Sequence, residues 1–285
     1  MRTAVGILGM ALLFGCGRES QAPTPAPAPA ASRPVVAPAP ARPARDYKLV
    51  HVFVALCDNR HQGIAPVPAH LGNGQDPVGN LYWGAAYGVR TFLARSDRWE
   101  ELPLAGEPRR PEILARALFR SRGHGPAVRV LAEAYDGAKM ETALADFLSA
   151  AAGRLSAEVR ASGLAAEKPL RAGGLADLVC FVGHNGLMDL RLAEVPGPGA
   201  GARPEGAVVL ACKSRSYFSG PLGKAGCPLV LATAGFMAPE AYTLDAAVRG
   251  WAAGESPERI RDRAAEAYAR YQKCGRTAAV GLFAE

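Results

Sequence analysis

Short apolar runs alternate along the chain with segments of helical periodicity, and this alternation limits the possible folds more than any other feature. Five runs have the length and continuity of buried strands, over 49–56, 127–132, 178–182, 207–211 and 228–233. Strands that are apolar at nearly every position are typical of a parallel sheet whose two faces are both covered. Alternation of such strands with helices favours an α/β architecture. The sequence therefore predicts an α/β fold, with a mostly parallel sheet and helices on both faces in a three-layer sandwich.

The segments between these runs carry apolar residues at helical spacing. They predict helices over about 80–92, 111–118, 139–159, 239–251 and 257–273. For the last helix, Ser256 supplies a suitable N-cap and Pro257 a suitable first residue. A final apolar run, 278–283, is predicted as an edge strand.

The amino terminus has the features of an export signal. Arg2 precedes an apolar stretch that ends in Leu13-Phe14-Gly15-Cys16, too short to span a bilayer comfortably. This ending resembles a bacterial lipobox, which implies removal of residues 1–15 and lipidation of Cys16. A protein of that kind is anchored by its lipid in the bacterial cell envelope and faces the periplasm or the exterior. An ordinary signal peptide with an incidental cysteine is the alternative.

Residues 16–45 are mostly Pro and Ala, a composition that favours an extended, semi-rigid tether over a packed core. Residues 46–285 are then left as one α/β domain. The whole chain has a formal net charge of +7, of which the signal peptide carries one and the tether three. A domain charge of +3 without a basic stripe argues against nucleic acid as a partner.

Five cysteines remain once Cys16 is assigned to lipid. Disulfides are permitted outside the cytoplasm, and an odd number indicates one free thiol. Cys212 is our candidate for that thiol. The sequence leaves open how the others pair, if they do: Cys57, Cys180, Cys227 and Cys274.

Two consecutive strands end in residue types that suit nucleophilic catalysis. The run 178–182 leads into His184, and the run 207–211 leads directly into Cys212. Neighbouring parallel strands would bring the imidazole and the thiol to one edge of the sheet, where α/β folds place their ligands. There His184 would take the thiol proton while Cys212 attacks. Backbone amides around Gly186 and Cys212 are candidates for holding the oxyanion, and Asn185 is a candidate for binding the oxyanion or the substrate.

Other strand ends supply further candidates for the same edge. Asp58 and Asn59 follow the first strand and could orient the imidazole or bind substrate backbone; a plain turn is the alternative. Thr233 ends the fifth strand and is a candidate for substrate binding, and Asp189 is either a partner of His184 or a surface residue. The histidine spacings match no metal motif, and the glycines form no nucleotide-binding pattern. We therefore expect neither a metal nor an organic cofactor.

A strand followed by His184-Asn185-Gly186, and then a strand ending in Ala211-Cys212, resembles the caspase-like fold. This group of cysteine peptidases includes caspases, metacaspases, legumains and gingipains. The resemblance implies that Cys212 is the nucleophile and His184 the acid/base in hydrolysis of a peptide or protein substrate. It also implies that the loop 233–240 helps to form the wall for the substrate side chain, with Phe236 and Met237 suited to an apolar group and Glu240 to a basic one.

The sequence departs from that pattern in three respects. Asn185 separates the His from the Gly, the two reactive residues are only 28 positions apart, and Lys213-Ser214-Arg215 follows the cysteine. A catalytically inactive caspase-like module that binds a peptide or a cell-wall fragment is therefore an alternative. A structural envelope lipoprotein is another.

Overall fold

The computed structural model describes residues 41–162 and 168–284, all within the unit that spans Pro38–Glu285. The predicted signal peptide, Cys16 and most of the predicted tether lie outside the described residues.

A seven-stranded sheet forms the centre of the described part. Its order is β10-β9-β8-β1-β5-β4-β2, and β3, β6 and β7 form a second, three-stranded sheet. In the main sheet β10, β9, β8, β1 and β5 are parallel, whereas β4 and β2 are antiparallel additions at one side. The strands are β1 (Lys48–Ala55), β2 (Trp99–Leu102), β3 (Leu104–Ala105), β4 (Ile113–Ser121), β5 (Val128–Tyr135), β6 (Ser156–Ala161), β7 (Leu170–Gly173), β8 (Leu178–Val182), β9 (Gly206–Leu210) and β10 (Leu229–Leu231).

Helices cover both faces of the main sheet, which confirms the predicted α/β class and its mostly parallel sheet. Successive residues of β1 show why: Val52 packs into the core that contains α4 and α5, and Phe53 into the core that contains α2 and α3. No helix in the described ranges is both long enough and apolar enough to cross a membrane. The helices are α1 (Val89–Arg95), α2 (Met140–Ala151), α3 (Ser214–Ala225), α4 (Ala241–Ala252), α5 (Pro257–Gln272) and α6 (Arg276–Leu282), with short 3₁₀ turns at Gly137–Lys139 and Gly186–Met188.

Two predicted elements have the wrong type. The predicted helix at 111–118 is strand β4, in which Ala117 and Leu118 enter opposite cores, as neighbouring strand residues must. The predicted edge strand at 278–283 is helix α6, whose Ala279 and the following Phe283 are four positions apart and share one core. In both cases tertiary packing decides between two periods that a short apolar run cannot distinguish.

Two further helices are shorter than predicted. α1 begins at Val89 because the preceding residues form turns around Asn80, whose side chain binds the Cys57 backbone at both its N–H (3.0 Å) and its carbonyl (2.8 Å). α2 ends at Ala151, and Gly153 then adopts a left-handed φ of 73° before β6 starts. In contrast, α5 starts as predicted at Pro257, with Ser256 Oγ accepting from Arg259 N–H.

The end of the predicted tether is part of the packed structure. Arg42 Nη1 lies 2.7 Å from one Asp177 carboxylate oxygen, and Arg45 Nη2 lies 3.0 Å from the other. Asp177 also accepts from Leu49 N–H at 2.6 Å, next to the start of β1. The chain is therefore bound to the domain at least from Arg42 onward.

Candidate functional site

The pairing of β8 with β9 brings His184 and Cys212 to the same edge of the sheet. The strands are parallel, and Val182 is in register with Leu210. Each reactive residue lies two positions beyond that pair, so their backbones leave the sheet at the same level. Adjacent strands are about 4.8 Å apart. The sequence-predicted meeting of an imidazole and a thiol therefore has the backbone placement that it needs.

Asn185 links the two strand ends directly. Its Nδ2 donates to the Cys212 carbonyl at 2.7 Å, and the residue is completely buried. On the other side of the same peptide, Lys213 N–H donates to Gly235 O at 2.7 Å. Lys213 has a left-handed φ of 49°, which residues other than glycine rarely adopt. The peptide after Cys212 is thus fixed at both its carbonyl and its N–H.

The His184 ring is held by Asp189. Its Nε2 lies 2.5 Å from Asp189 Oδ2, and the imidazole is 7% exposed. The 3₁₀ turn Gly186–Met188 folds the chain back so that the carboxylate can reach the ring. Gly186 belongs to this turn because a Cβ there would lie 2.3 Å from Met140 Cγ. Since Nε2 is occupied by the carboxylate, Nδ1 is the ring nitrogen left to exchange a proton with a thiol.

The Cys212 thiol is half-buried against the loop that follows β10. Its Sγ accepts from Met237 N–H at 3.4 Å and donates to Met237 O at 3.5 Å. Two phenols lie nearby. Burial raises the pKa of Tyr82 well above its usual value, and the Cys57 and Cys212 thiols add to that rise. Burial likewise raises the pKa of Tyr268, whose hydroxyl accepts from Ala238 N–H at 3.1 Å.

None of the five cysteines in the described residues forms a disulfide. Burial raises the pKa of Cys57 to about 11 and that of Cys227 to about 12, and it raises that of Cys180 further. These three thiols therefore stay protonated at neutral pH and are poor nucleophiles. Cys212 is half-buried and Cys274 exposed, so these two are the accessible thiols in the described chain.

Asp58 is buried just after β1, and its carboxylate accepts hydrogen bonds that stabilise the turn there. Burial acts to raise its pKa, but hydrogen bonds from Gln75, His61 and the Arg60 N–H outweigh that effect and hold the pKa below its usual value. The distances are 2.8 Å from Gln75 Nε2, 2.9 Å from His61 Nδ1 and 2.8 Å from Arg60 N. The loop that carries these donors also reaches the site, because Gly63 N–H donates to Asp189 Oδ2 at 3.2 Å. Asp58 thus shapes the loop beside Asp189.

Asn59 and Thr233 also have their polar atoms engaged within the protein. Asn59 binds the Val67 backbone through Nδ2 (2.7 Å) and Oδ1 (3.0 Å). Thr233 is fully buried, and its Oγ1 donates to Ala211 O at 2.5 Å, directly before Cys212. Thr233 therefore fixes the backbone immediately before Cys212, and Asn59 stabilises a turn.

Sequence reasoning missed a buried ionic group on the α2 side of the sheet. His51 Nδ1 accepts from Gly173 N–H at 3.1 Å, so its Nε2 carries the proton that Glu133 accepts at 3.1 Å. Arg109 Nη2 lies 3.1 Å from the same Glu133 oxygen. Burial acts to raise the Glu133 pKa, but His51 and Arg109 hold it at about 2. The sequence feature that could have revealed this group is a polar residue within each of two apolar strands, His51 in β1 and Glu133 in β5.

Within 41–162 and 168–284, no three His, Cys, Asp or Glu side chains come together as a metal site requires. No family model matches the chain, and neither a curated protein nor a solved structure shows significant similarity to it.

Proposed function

We propose that this protein is a cysteine peptidase of the caspase-like kind. His184 takes the proton of the Cys212 thiol, the sulfur attacks the carbonyl carbon of a peptide bond and forms a thioester, and the amine leaves with that proton. Water then attacks the thioester as His184 takes one of its protons, the carboxylic acid is released, and His184 returns the proton to the Cys212 sulfur. The reaction draws on side chains and backbone groups of this chain alone.

The observation that carries the proposal is the hydrogen bond from Asn185 Nδ2 to the Cys212 carbonyl. It joins the residue after the imidazole to the residue that bears the thiol, across adjacent strands in register. It holds the two strand ends together, and proton transfer requires in addition that the imidazole comes within hydrogen-bond reach of the thiol when substrate is bound.

Asp189 adds an orienting acid to the pair. Its contact with His184 Nε2 favours the ring orientation in which Nδ1 serves Cys212 and stabilises the imidazolium formed during attack. Asp189 acts through His184, so we regard it as a positioning residue. The sequence places it five positions after the histidine, and only the intervening turn brings it back to the ring.

Hydrolysis of a fluorogenic peptide library tests this function. The wild-type protein is expected to cleave a subset of the library, and Cys212→Ala and His184→Ala to lose at least about a thousandfold in kcat/KM. Cys274→Ala removes the other accessible thiol and serves as the matched control, with activity retained. Equal cleavage by wild type and Cys212→Ala would contradict the proposal.

A catalytically inactive binding module is the second candidate, and the Cys212 thiol itself favours it. The thiol proton is donated to Met237 O, and His184 is largely buried. The same edge would then hold a peptide or a cell-wall fragment without cleaving it. Peptide binding that is identical in wild type and Cys212→Ala, together with no cleavage by either, would decide for this candidate.

We further propose that the protein is exported and anchored in the bacterial envelope through lipid on Cys16. The support is the Leu13-Phe14-Gly15-Cys16 sequence with its short apolar stretch. Metabolic labelling with an alkyne fatty acid is expected to mark the wild-type protein and not a Cys16→Ala variant. Labelling of both to the same extent would contradict the anchor.

A further inference from the structure

An exposed aromatic ring lies in the loop that contacts the Cys212 thiol. Phe236 is 68% exposed, although it directly precedes Met237, whose backbone meets the thiol. Leaving a Phe side chain in water forgoes about 1.5–3 kcal/mol of burial free energy. Core packing therefore gives no reason for an aromatic residue at this position, whereas contact with a ligand does.

A cation is paired with this ring. Lys213 Nζ lies 4.6 Å from the centroid of Phe236. Lys213 follows Cys212 directly, and its left-handed backbone is held by the hydrogen bond to Gly235. In the part of the chain that the structure describes, Lys213 forms no ion pair, so its charge is available to a ligand.

A second cation nearby also has unused hydrogen-bonding capacity. Arg215 lies in the first turn of α3, and its Nε is buried without an acceptor among the described residues. That turn contains no acidic residue, and the amino end of a helix favours negative charge. Lys213, Arg215 and the start of α3 together make this side of Cys212 electropositive.

The acidic residue of the same loop is not available to a ligand. Glu240 is buried, and its Oε2 accepts from Tyr242 Oη at 2.7 Å and from Gln272 Nε2 at 2.9 Å. Met237 is buried as well. Within 236–240, the side chain left to contact a substrate is therefore the exposed Phe236 ring, which lies next to Lys213.

We propose that Phe236 and Lys213 form the specificity surface of the site and select peptides that carry an acidic side chain beside an apolar one, next to the bond that is cleaved. The apolar side chain packs on the Phe236 ring, and the carboxylate pairs with Lys213. The cation–π contact holds the Lys213 ammonium beside the Phe236 ring, so that one ligand can reach both. This inference rests on the proposed function for its cleavage step, but the recognition step can be measured separately.

Kinetics on matched peptides test the selection. We expect kcat/KM of the wild type to be about tenfold or more higher for a peptide with Asp next to Phe than for the same peptide with Lys. Lys213→Glu is expected to reverse this order, and Phe236→Ala to lower kcat/KM for both. Lys224→Glu, at the exposed far end of α3, introduces the same charge change and should leave the order intact. Equal values for the two peptides with wild type, or an order unchanged by Lys213→Glu, would overturn the proposal.

Binding to Cys212→Ala separates recognition from catalysis. Fluorescence anisotropy with labelled forms of the same two peptides should show tighter binding of the Asp peptide, weakened as salt is raised. That result sustains the specificity surface even if no peptide is cleaved. Equal affinity for the two peptides, or binding of neither, contradicts it whatever the outcome for hydrolysis.

Discussion

At the scale of single residues, the contact between Asp189 and His184 gives the sharpest expectation. Asp189→Asn exchanges a carboxylate for an amide that can donate to Nε2 and so stabilise the wrong tautomer. A hydrogen bond to a charged group is worth about 1.5–3 kcal/mol, which corresponds to about a 10- to 150-fold fall in kcat. KM should stay nearly constant, because Asp189 acts on the ring and not on the substrate. Steady-state kinetics would contradict this role if KM rose and kcat did not change.

For Asn185 we expect a substitution that lowers turnover while it changes the free energy of unfolding only a little. Asn185→Ala removes the bond to the Cys212 carbonyl but also removes Oδ1, a buried acceptor with no donor among the described residues. The two effects on the free energy of unfolding oppose each other, so we expect a net change within about 1 kcal/mol. Turnover should nevertheless fall about tenfold or more, since the peptide after the nucleophile is no longer fixed. Urea denaturation beside kinetics checks this, and a loss of stability without a loss of kcat would refute it.

At the scale of secondary structure, α5 connects a helix cap to the site. Ser256 caps the helix, and Tyr268 on the same helix holds Ala238 N–H, next to Met237. Ser256→Ala should lower the free energy of unfolding by about 1 kcal/mol. Ser216→Ala, an exposed serine on α3 that caps nothing, is the matched control and should change it little. Equal effects of the two substitutions in thermal or urea unfolding would show that the cap does not stabilise α5.

The elements also show which parts of the fold can be predicted from sequence. The continuous apolar runs that lead into His184 and Cys212 identify β8 and β9, since burial on both faces leaves little choice of residue type. The predictions for β4 and α6 were wrong because each rested on a short segment, 111–118 or 278–283, in which the strand and helix periods cannot be distinguished. Asp189 could not be chosen over other acids, because its contact depends on a single 3₁₀ turn. The roles of Asp58 and Asn59 in turns follow from the loop between β1 and α1, whose path the sequence does not reveal.

At the scale of the whole molecule, Glu133 predicts how stability depends on pH. The folded-state pKa of about 2 lies below the ordinary value of 4.5, so this carboxylate stabilises the protein above about pH 4.5 and loses that contribution as pH falls toward 2. The contribution is about 3 kcal/mol. Glu133→Gln should flatten the acid limb of a stability–pH curve, whereas Glu141→Gln, which removes an exposed carboxylate, should not. An unchanged acid limb in Glu133→Gln would show that protonation of Glu133 does not cause the loss of stability at low pH.

The whole account depends on a reactive thiol served by one imidazole. The most direct test is to treat the wild-type protein with a peptidyl acyloxymethyl ketone and to locate the adduct by peptide mass spectrometry. We expect the adduct on Cys212, little on the more exposed Cys274, and at least about a hundredfold slower labelling in His184→Ala. Labelling of Cys212 at the same rate with and without His184, or an adduct on Cys274 alone, would contradict the catalytic pair.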